Sequence, residues 1–295
     1  MTDLVHISPE VRAALDEGRP VVALETTLVA HGFPAPVGIE VGLESEAAVR
    51  AAGAVPAATG VLDGRIRVGL TEGELARFTP AARKLGPRDL AACAVSGDVG
   101  ATTVGGLLVV ARNLGIRFLG TGGTGGVHRG YPTPLDVSAD LIALVSSPVL
   151  VACSGVKSLL DVPATMELLE TLGVPVLGFG TDTLPLFYSA TGGPPVPQRV
   201  DDAETAARTA RAHWQLGGCG LLLANPPPES LDVEDLIEEA IAEADDQGVF
   251  GQAVTPFVLA FLHERSGGRT RDVNRKLIVA NARLAAEVSV AFAAL

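Results

Sequence analysis

The sequence predicts an α/β fold, with helices layered around a largely parallel or mixed β-sheet in a single domain spanning residues 1–295. Three observations predict it. Short aliphatic, β-branched runs alternate with longer amphipathic stretches along the whole chain. No polar linker, charge block, low-complexity segment or fixed-period repeat divides it; GGPPVP (192–197) and PPPES (226–230) are too short to be tethers. Hydrophobic residues make up 47% against 19% charged, ample for a dry core, and aromatics are only 4%, so Ala, Val and Leu must build that core.

The elements follow in order. PVVALETT (20–27) reads as a buried strand, and PVGIEVGLESEAAVRAAG (36–53) as an amphipathic helix stopped at Gly53. RIRVGL (65–70) is a second strand, after which Thr71 and Glu74 have the spacing of a capping box. VGGLLVVARNLG (104–115) is a helix closed by Gly115, and IRFLG (116–120) a strand. DVSADLIALVSS (136–147) reads as a helix with Asp136 at its N-cap, PVLVAC (148–153) as a strand and ATMELLETLG (164–173) as a helix. Strands at 175–180 and 221–225 and helices at 202–216, 233–247, 254–265 and 271–294 complete the pattern. In such a sheet a ligand crevice is expected at the carboxyl ends of the strands.

Charge and cysteine content narrow the function classes. A net charge of −12 argues against nucleic-acid binding, which needs clustered Lys and Arg, and stacking aromatics are scarce. Cys93, Cys153 and Cys219 lie far apart without metal or disulfide spacing, which points to a reducing compartment, the cytoplasm. The first residues, MTDLVHISPEVRAAL, show no signal-peptide pattern, and no apolar run reaches membrane-spanning length.

The chemistry-bearing residues fall mostly after strands. Of 22 basic residues only Lys84, Lys157 and Lys276 are lysines. Arg cannot surrender its proton at working pH and so cannot be a nucleophile, whereas Lys can be tuned to act as one. Lys157, in CSGVKSLL (153–160), follows an apolar strand and a tight SG turn. Burial and a helix N-terminus there would disfavour the ammonium and leave an amine able to form a Schiff base with an open-chain sugar. Glu25 closes another apolar strand, where poor solvation suits a general acid; a carboxylate held by backbone amides or an Arg is the plainer reading.

FLGTGGTGGVHRG (118–130) could bring backbone amides to a sugar or phosphate, with His128 and Arg129 as further donors, or be only a tight turn. GDVGATTVGG (97–106), with Thr102 and Thr103, could meet an anion at a helix N-terminus or simply cap it. Lys84, beside a Gly-Pro turn, could reach a phosphate or be a solvated loop charge. Asp136 and Asp140, on one helix face with Ser138 between them, form an oxygen-rich patch suited to a hard divalent cation, or else an N-cap and a surface charge. Asn274 and Asn281, seven apart on the last helix, share a face that could bond a polar ligand or pack against a neighbour.

The conjunction is more specific than its parts. ALETTLVAHGFP, ATGVLDGRIRVGLT, KLGPRDL, GATTVGG, TGGTGGVHRG, DVSADL, CSGVKSLLD, PATMELLETLGVPVLGFGTDTLPLFY and TPFVLAFLHERSGG occur in order. Together they closely resemble the pseudouridine-5′-phosphate glycosidase family, also called indigoidine synthase A-like proteins, from about residue 6 to residue 290. The resemblance implies the indigoidine synthase A-like fold and a reversible cleavage of the C–C glycosidic bond of pseudouridine 5′-phosphate to uracil and ribose 5-phosphate.

By the same resemblance Lys157 is the nucleophile and Glu25 the proton donor. Lys84, Thr103, Val104, His128, Ser138, Ala139, Asp140 and Asn281 bind substrate, Asp136 holds a divalent metal, expected to be Mn²⁺, and the assembly is a homotrimer. The last helix, DVNRKLIVANARLA, is more basic than the family pattern after its first Asn. Two other readings stay open on the residues alone: a Schiff-base aldolase or isomerase acting on another sugar phosphate, and a non-catalytic sugar-phosphate sensor. Uracil-dependent product formation separates the first, and a Lys157→Ala variant that keeps binding with no turnover to lose marks the second.

Overall fold

A computed structural model describes residues 4–129, 135–157, 159–249 and 253–295. Its strands are β1 (Val5–Ile7), β2 (Val21–Leu24), β3 (Val55–Leu62), β4 (Arg65–Val68), β5 (Arg83–Leu85), β6 (Gly100–Thr102), β7 (Phe118–Gly120), β8 (Val127–His128), β9 (Leu150–Cys153), β10 (Leu160–Asp161), β11 (Val176–Phe179), β12 (Gln198–Val200) and β13 (Leu221–Ala224). The helices are α1 (Pro9–Asp16), α2 (Val37–Ala51), α3 (Glu72–Leu75), α4 (Leu90–Ser96), α5 (Val104–Leu114), α6 (Ala139–Val145), α7 (Val162–Thr171), α8 (Ala203–Gln215), α9 (Glu234–Asp246), α10 (Val254–Arg265) and α11 (Arg269–Ala293). A π-helical turn covers Leu28–Gly32.

The main sheet runs β1-β4-β3-β2-β7-β9-β13-β11-β12, with β6 pairing β3 and β5 pairing β6. Neighbours from β3 through β2, β7, β9, β13, β11 and β12 are all parallel. β4 and β6 pair antiparallel to β3, so the sheet is mixed at that side. Strands β2, β9 and β13 are buried along their whole length, as expected of parallel strands covered on both faces.

The chain leaves β2 for β3 on one side and β7 for β9 on the other. The gap between β2 and β7 is therefore a topological switch point, where the connecting segments diverge and leave a crevice at the strands' carboxyl ends. Helix α11 lies across β2, β7 and β9 on one face, between α2 and α8. It approaches so closely that a Cβ on Gly120 would fall 2.7 Å from the Ala282 Cα. The capping box at Thr71 and Glu74 forms as the spacing predicts.

Several boundaries differ from the sequence expectation. The helix expected over 136–147 begins only at Ala139, because Ser138, not Asp136, takes the N-cap and accepts from the Asp140 amide. Asp136 therefore does not share a helix face with Asp140. Among the described residues just after Lys157 no helix starts: the Lys157 amide donates to the Thr124 carbonyl at 3.1 Å, and the short strand β10 intervenes before α7. Lys84 lies within strand β5 and not in a loop. Gly130 and Ser158, which fall in two of the quoted motifs, lie outside the described residues.

Candidate active site

Three adjacent parallel strands supply the centre of the site. Glu25 follows β2, Thr121 follows β7, and the Ser154–Lys157 turn follows β9. Glu25 is 7% exposed. It accepts hydrogen bonds from the hydroxyls of Thr27 and Thr121, so the carboxylate is held by two uncharged donors and by neither an Arg nor backbone amides.

Two cavities meet there. An inner chamber is lined by Glu25, Thr27, His31, Asn274 and the apolar side chains of Leu28, Phe187, Leu259 and Ile278. An outer chamber is lined by Arg88, Thr103, His128, Asp136, Ser138, Ala139 and Asp140 among others. Lys84, Lys157 and Thr255 line both. The two amines thus stand at the junction of a mostly apolar slot and a hydrophilic basin.

Strand β5 brings Lys84 to the junction. Burial lowers its pKa, the Lys157 charge lowers it further, and Asp140 and Glu25 partly offset both. Across the outer chamber His128 Nδ1 lies 3.7 Å from Asp136 Oδ2. Burial pushes the His128 pKa down, Asp136 pulls it up, and the two lysines oppose its protonation.

Asp140 is a buried structural linchpin. Its Oδ1 accepts from the Gly105 amide at 2.7 Å and its Oδ2 from the Gly125 amide at 2.8 Å, tying the start of α5 to the glycine-rich loop. Neither the surface position nor the paired-carboxylate patch expected from its spacing holds. Among the described residues no group of three or more His, Cys, Asp and Glu side chains gathers into a metal cage. The half-buried Asp136 carboxylate facing the open outer chamber fits a hard cation that keeps most of its waters, and the donor set does not fit zinc.

Five amides of the glycine-rich loop are spent internally. Thr121 and Thr124 donate to backbone carbonyls, Gly125 to Asp140, Val127 to Thr165, and His128 to Asp136. Its glycines are required by protein neighbours: a Cβ at Gly125 would fall 2.1 Å from Ser138 Oγ, and one at Gly126 2.4 Å from Thr165 Oγ1. Only Gly122 and Gly123 face the inner chamber. Arg129, expected to serve the site, pairs with Glu234 at 2.7 Å.

At the α5 end, Thr102 donates to the Thr59 carbonyl. Thr103 donates to Leu85 and caps Gly106, while Val104 is buried at the first position. Asn281 stands behind the wall, not in it. Its Nδ2 donates to the Thr121 carbonyl at 2.8 Å and to Ser154 Oγ at 3.1 Å, and its Oδ1 accepts from Asn225. It stitches the turns after β7 and β9 together, and Asn274 is the asparagine of α11 that lines the chamber.

Residue-type reasoning passed over Thr27, Thr121, His31 and Phe187. Phe187 adopts a left-handed φ of 59°, rare for a bulky residue, and its amide is pinned to the Ser154 carbonyl at 3.0 Å. Thr27 and His31 lie in the quoted stretch LETTLVAH, two and six residues after Glu25, which is the one sequence signal that could have found them.

Comparison with known proteins agrees with this architecture. A profile of indigoidine synthase A like proteins matches residues 10–291. A pseudouridine-5′-phosphate glycosidase of Myxococcus xanthus is 47% identical, covering 98% of each chain, and one of Herpetosiphon aurantiacus is 48% identical over 99% of this chain and 98% of its own. The crystal structure of the prealnumycin C-glycosynthase AlnA, solved with ribulose 5-phosphate, superposes with a TM-score of 0.90 at 42% identity, covering 99% of this chain and 98% of its own. An indigoidine synthase A-like protein of Thermotoga maritima gives 0.88 at 37% identity, over 97% and 96% of the two chains. The chain belongs to the indigoidine synthase A-like family, the family of the pseudouridine-5′-phosphate glycosidases.

Proposed function

We propose that this protein is an enzyme that reversibly cleaves the C–C glycosidic bond of pseudouridine 5′-phosphate, giving uracil and ribose 5-phosphate. The observation that carries the reading is the placement of Lys157 at the junction of a slot suited to a flat base and a hydrophilic basin, with Glu25 on the slot's side.

A C-nucleoside bond has no heteroatom to leave with, so hydrolysis by paired carboxylates would have to expel a carbanion. An amine avoids this. Lys157 attacks C1′ as the C1′–O4′ bond opens, the nitrogen's surplus proton passes to O4′, and the neutral amine nitrogen then shares C1′ with uracil C5. Glu25 delivers a proton to C5, the C1′–C5 bond breaks with its electron pair staying on the base, and the nitrogen lone pair forms the iminium at C1′. Water adds to the iminium and ribose 5-phosphate departs, returning the amine. Arg at position 157 could not do this. In the outer chamber Lys84, Thr103, His128, Ser138, Ala139 and Asp140 hold the sugar phosphate, with Val104 assigned to the same role by the family likeness, orienting it remotely from the bond that breaks.

Asp136 would hold a hydrated divalent cation, Mn²⁺ by the family likeness, which supplies positive charge and ordered water to the outer chamber when bound. The protein works as a homotrimer on the same likeness; Leu135 and Ile142 are 79% and 62% exposed and offer apolar surface for a partner copy. Three unpaired cysteines support a cytoplasmic setting. No described helix is long and apolar enough to cross a membrane.

The test is direct. Purified protein with uracil, ribose 5-phosphate and Mn²⁺ is expected to form pseudouridine 5′-phosphate, read by chromatography and mass. Absence of product with every divalent metal tried overturns the assignment.

A further inference from the structure

Among the described residues that line the inner chamber, two fully buried side-chain atoms have no hydrogen-bond partner. Asn274 is 3% exposed, lines the chamber, and its Oδ1 accepts nothing. His31 lines the same chamber, and its Nε2 is buried and unpaired. Buried polar groups are nearly always satisfied, so two orphans in one cavity, beside the expected proton donor, call for a ligand.

The chemistry of the two atoms is alike. Asn274 Oδ1 is an acceptor. Burial and the nearby Lys84 charge oppose protonation of His31, so the ring is neutral and one nitrogen is bare. With the ring proton on Nδ1, His31 Nε2 is an acceptor as well. In that tautomer the chamber presents two acceptors on a mostly apolar wall.

A uracil joined through C5 carries two ring N–H groups, at N1 and N3, on either side of a carbonyl. A uracil joined through N1 has only one, and cytosine has no N3–H. We propose that Asn274 and His31 are specificity-determining residues that accept one hydrogen bond each from the two ring N–H groups of a C5-linked uracil. This selects the C-linked pyrimidine over its N-linked isomer and over cytosine, because any base lacking either donor leaves a buried acceptor unpaired. The inference rests on the glycosidase reading above.

The experiment uses the whole enzyme in the synthetic direction, with uracil, 1-methyluracil and 3-methyluracil as acceptor bases, and Asn274→Ala and His31→Ala as variants. Borohydride trapping of ribose 5-phosphate on Lys157 reports, independently of the base, that each variant retains a working site. The wild type is expected to reject both methylated bases. Each variant is expected to raise the KM for uracil about 10-fold or more while leaving trapping unchanged. Each is also expected to relax the rejection of one methyl isomer, a different isomer for each variant. Wild-type use of either methyluracil as readily as uracil overturns the proposal. So does an unchanged uracil KM in either variant that still traps ribose 5-phosphate, or identical effects of both variants on the two isomers. Failure of wild type to use uracil at all would instead overturn the glycosidase reading.

Discussion

The two chambers that meet at Lys84 and Lys157 are built oppositely. The inner one is walled by Leu28, Phe187, Leu259 and Ile278, with Glu25, His31 and Asn274 set among them. The outer one is lined by Arg88, Asp89, His128, Asp136 and Ser138. A mostly apolar slot suits the flat, weakly polar half of a ligand, and a charged basin suits its anionic half. The difference teaches why the amine stands at the junction: the bond to be broken is the one that joins the two halves.

The sharpest way to break that comparison is to remove the junction amine. Lys157→Arg keeps the charge and loses the nucleophile, and turnover should fall by about 10⁴-fold or more. Activity near the wild-type level would deny the junction its chemistry. Glu25→Gln touches only the inner side. It should lower kcat about 10²–10⁴-fold while ribose 5-phosphate still forms its adduct on Lys157, since adduct formation needs only the amine and the outer chamber. Equal loss of both would show that the chambers do not divide the work.

How much of this was legible in the sequence depends on what each residue answers to. The parallel strands β2, β7, β9 and β13 show as aliphatic runs because both their faces are buried. Glu25 and Lys157 showed because a charged residue ending such a run is conspicuous. Lys84 did not show as a strand residue because β5 is three residues long and is a strand only by pairing with β6. The burial of Asp140 was hidden because it depends on glycine amides from α5 and the loop, far away in sequence, and the helix start at Ser138 because Asp136 and Ser138 are both good N-cap residues two positions apart. Asn274 and Asn281 share a helix and a residue type, and only packing decides that the first faces the cavity while the second clamps the turns behind it.

Smaller effects sharpen the contrast between the walls. Asp140→Ala should destabilise the fold by about 1–3 kcal/mol for each of the two amides it orphans, read as a fall in denaturant midpoint. A variant as stable as wild type would show that Asp140 does not tie α5 to the loop.

The smallest effect concerns α10, which supplies Pro256 and Leu259 to the inner wall. His263, on the same helix, bonds Thr270 at 2.8 Å, and burial chiefly, with the Arg271 charge, pushes its pKa down to about 4. The unfolded chain takes up this proton near pH 6.5 and the folded one does not, so stability is lost as pH falls from about 6.5 toward that value. Melting at pH 7 and pH 5 should show a smaller acid loss for His263→Gln than for wild type; equal losses would remove the histidine from the account.

One measurement reaches the central claim most directly: reduction with borohydride in the presence of ribose 5-phosphate, followed by peptide mass spectrometry. A reduced pentose phosphate on Lys157, absent from Lys157→Arg, is the expected result. An unmodified Lys157, or an adduct carried by Lys84 in its place, would contradict it.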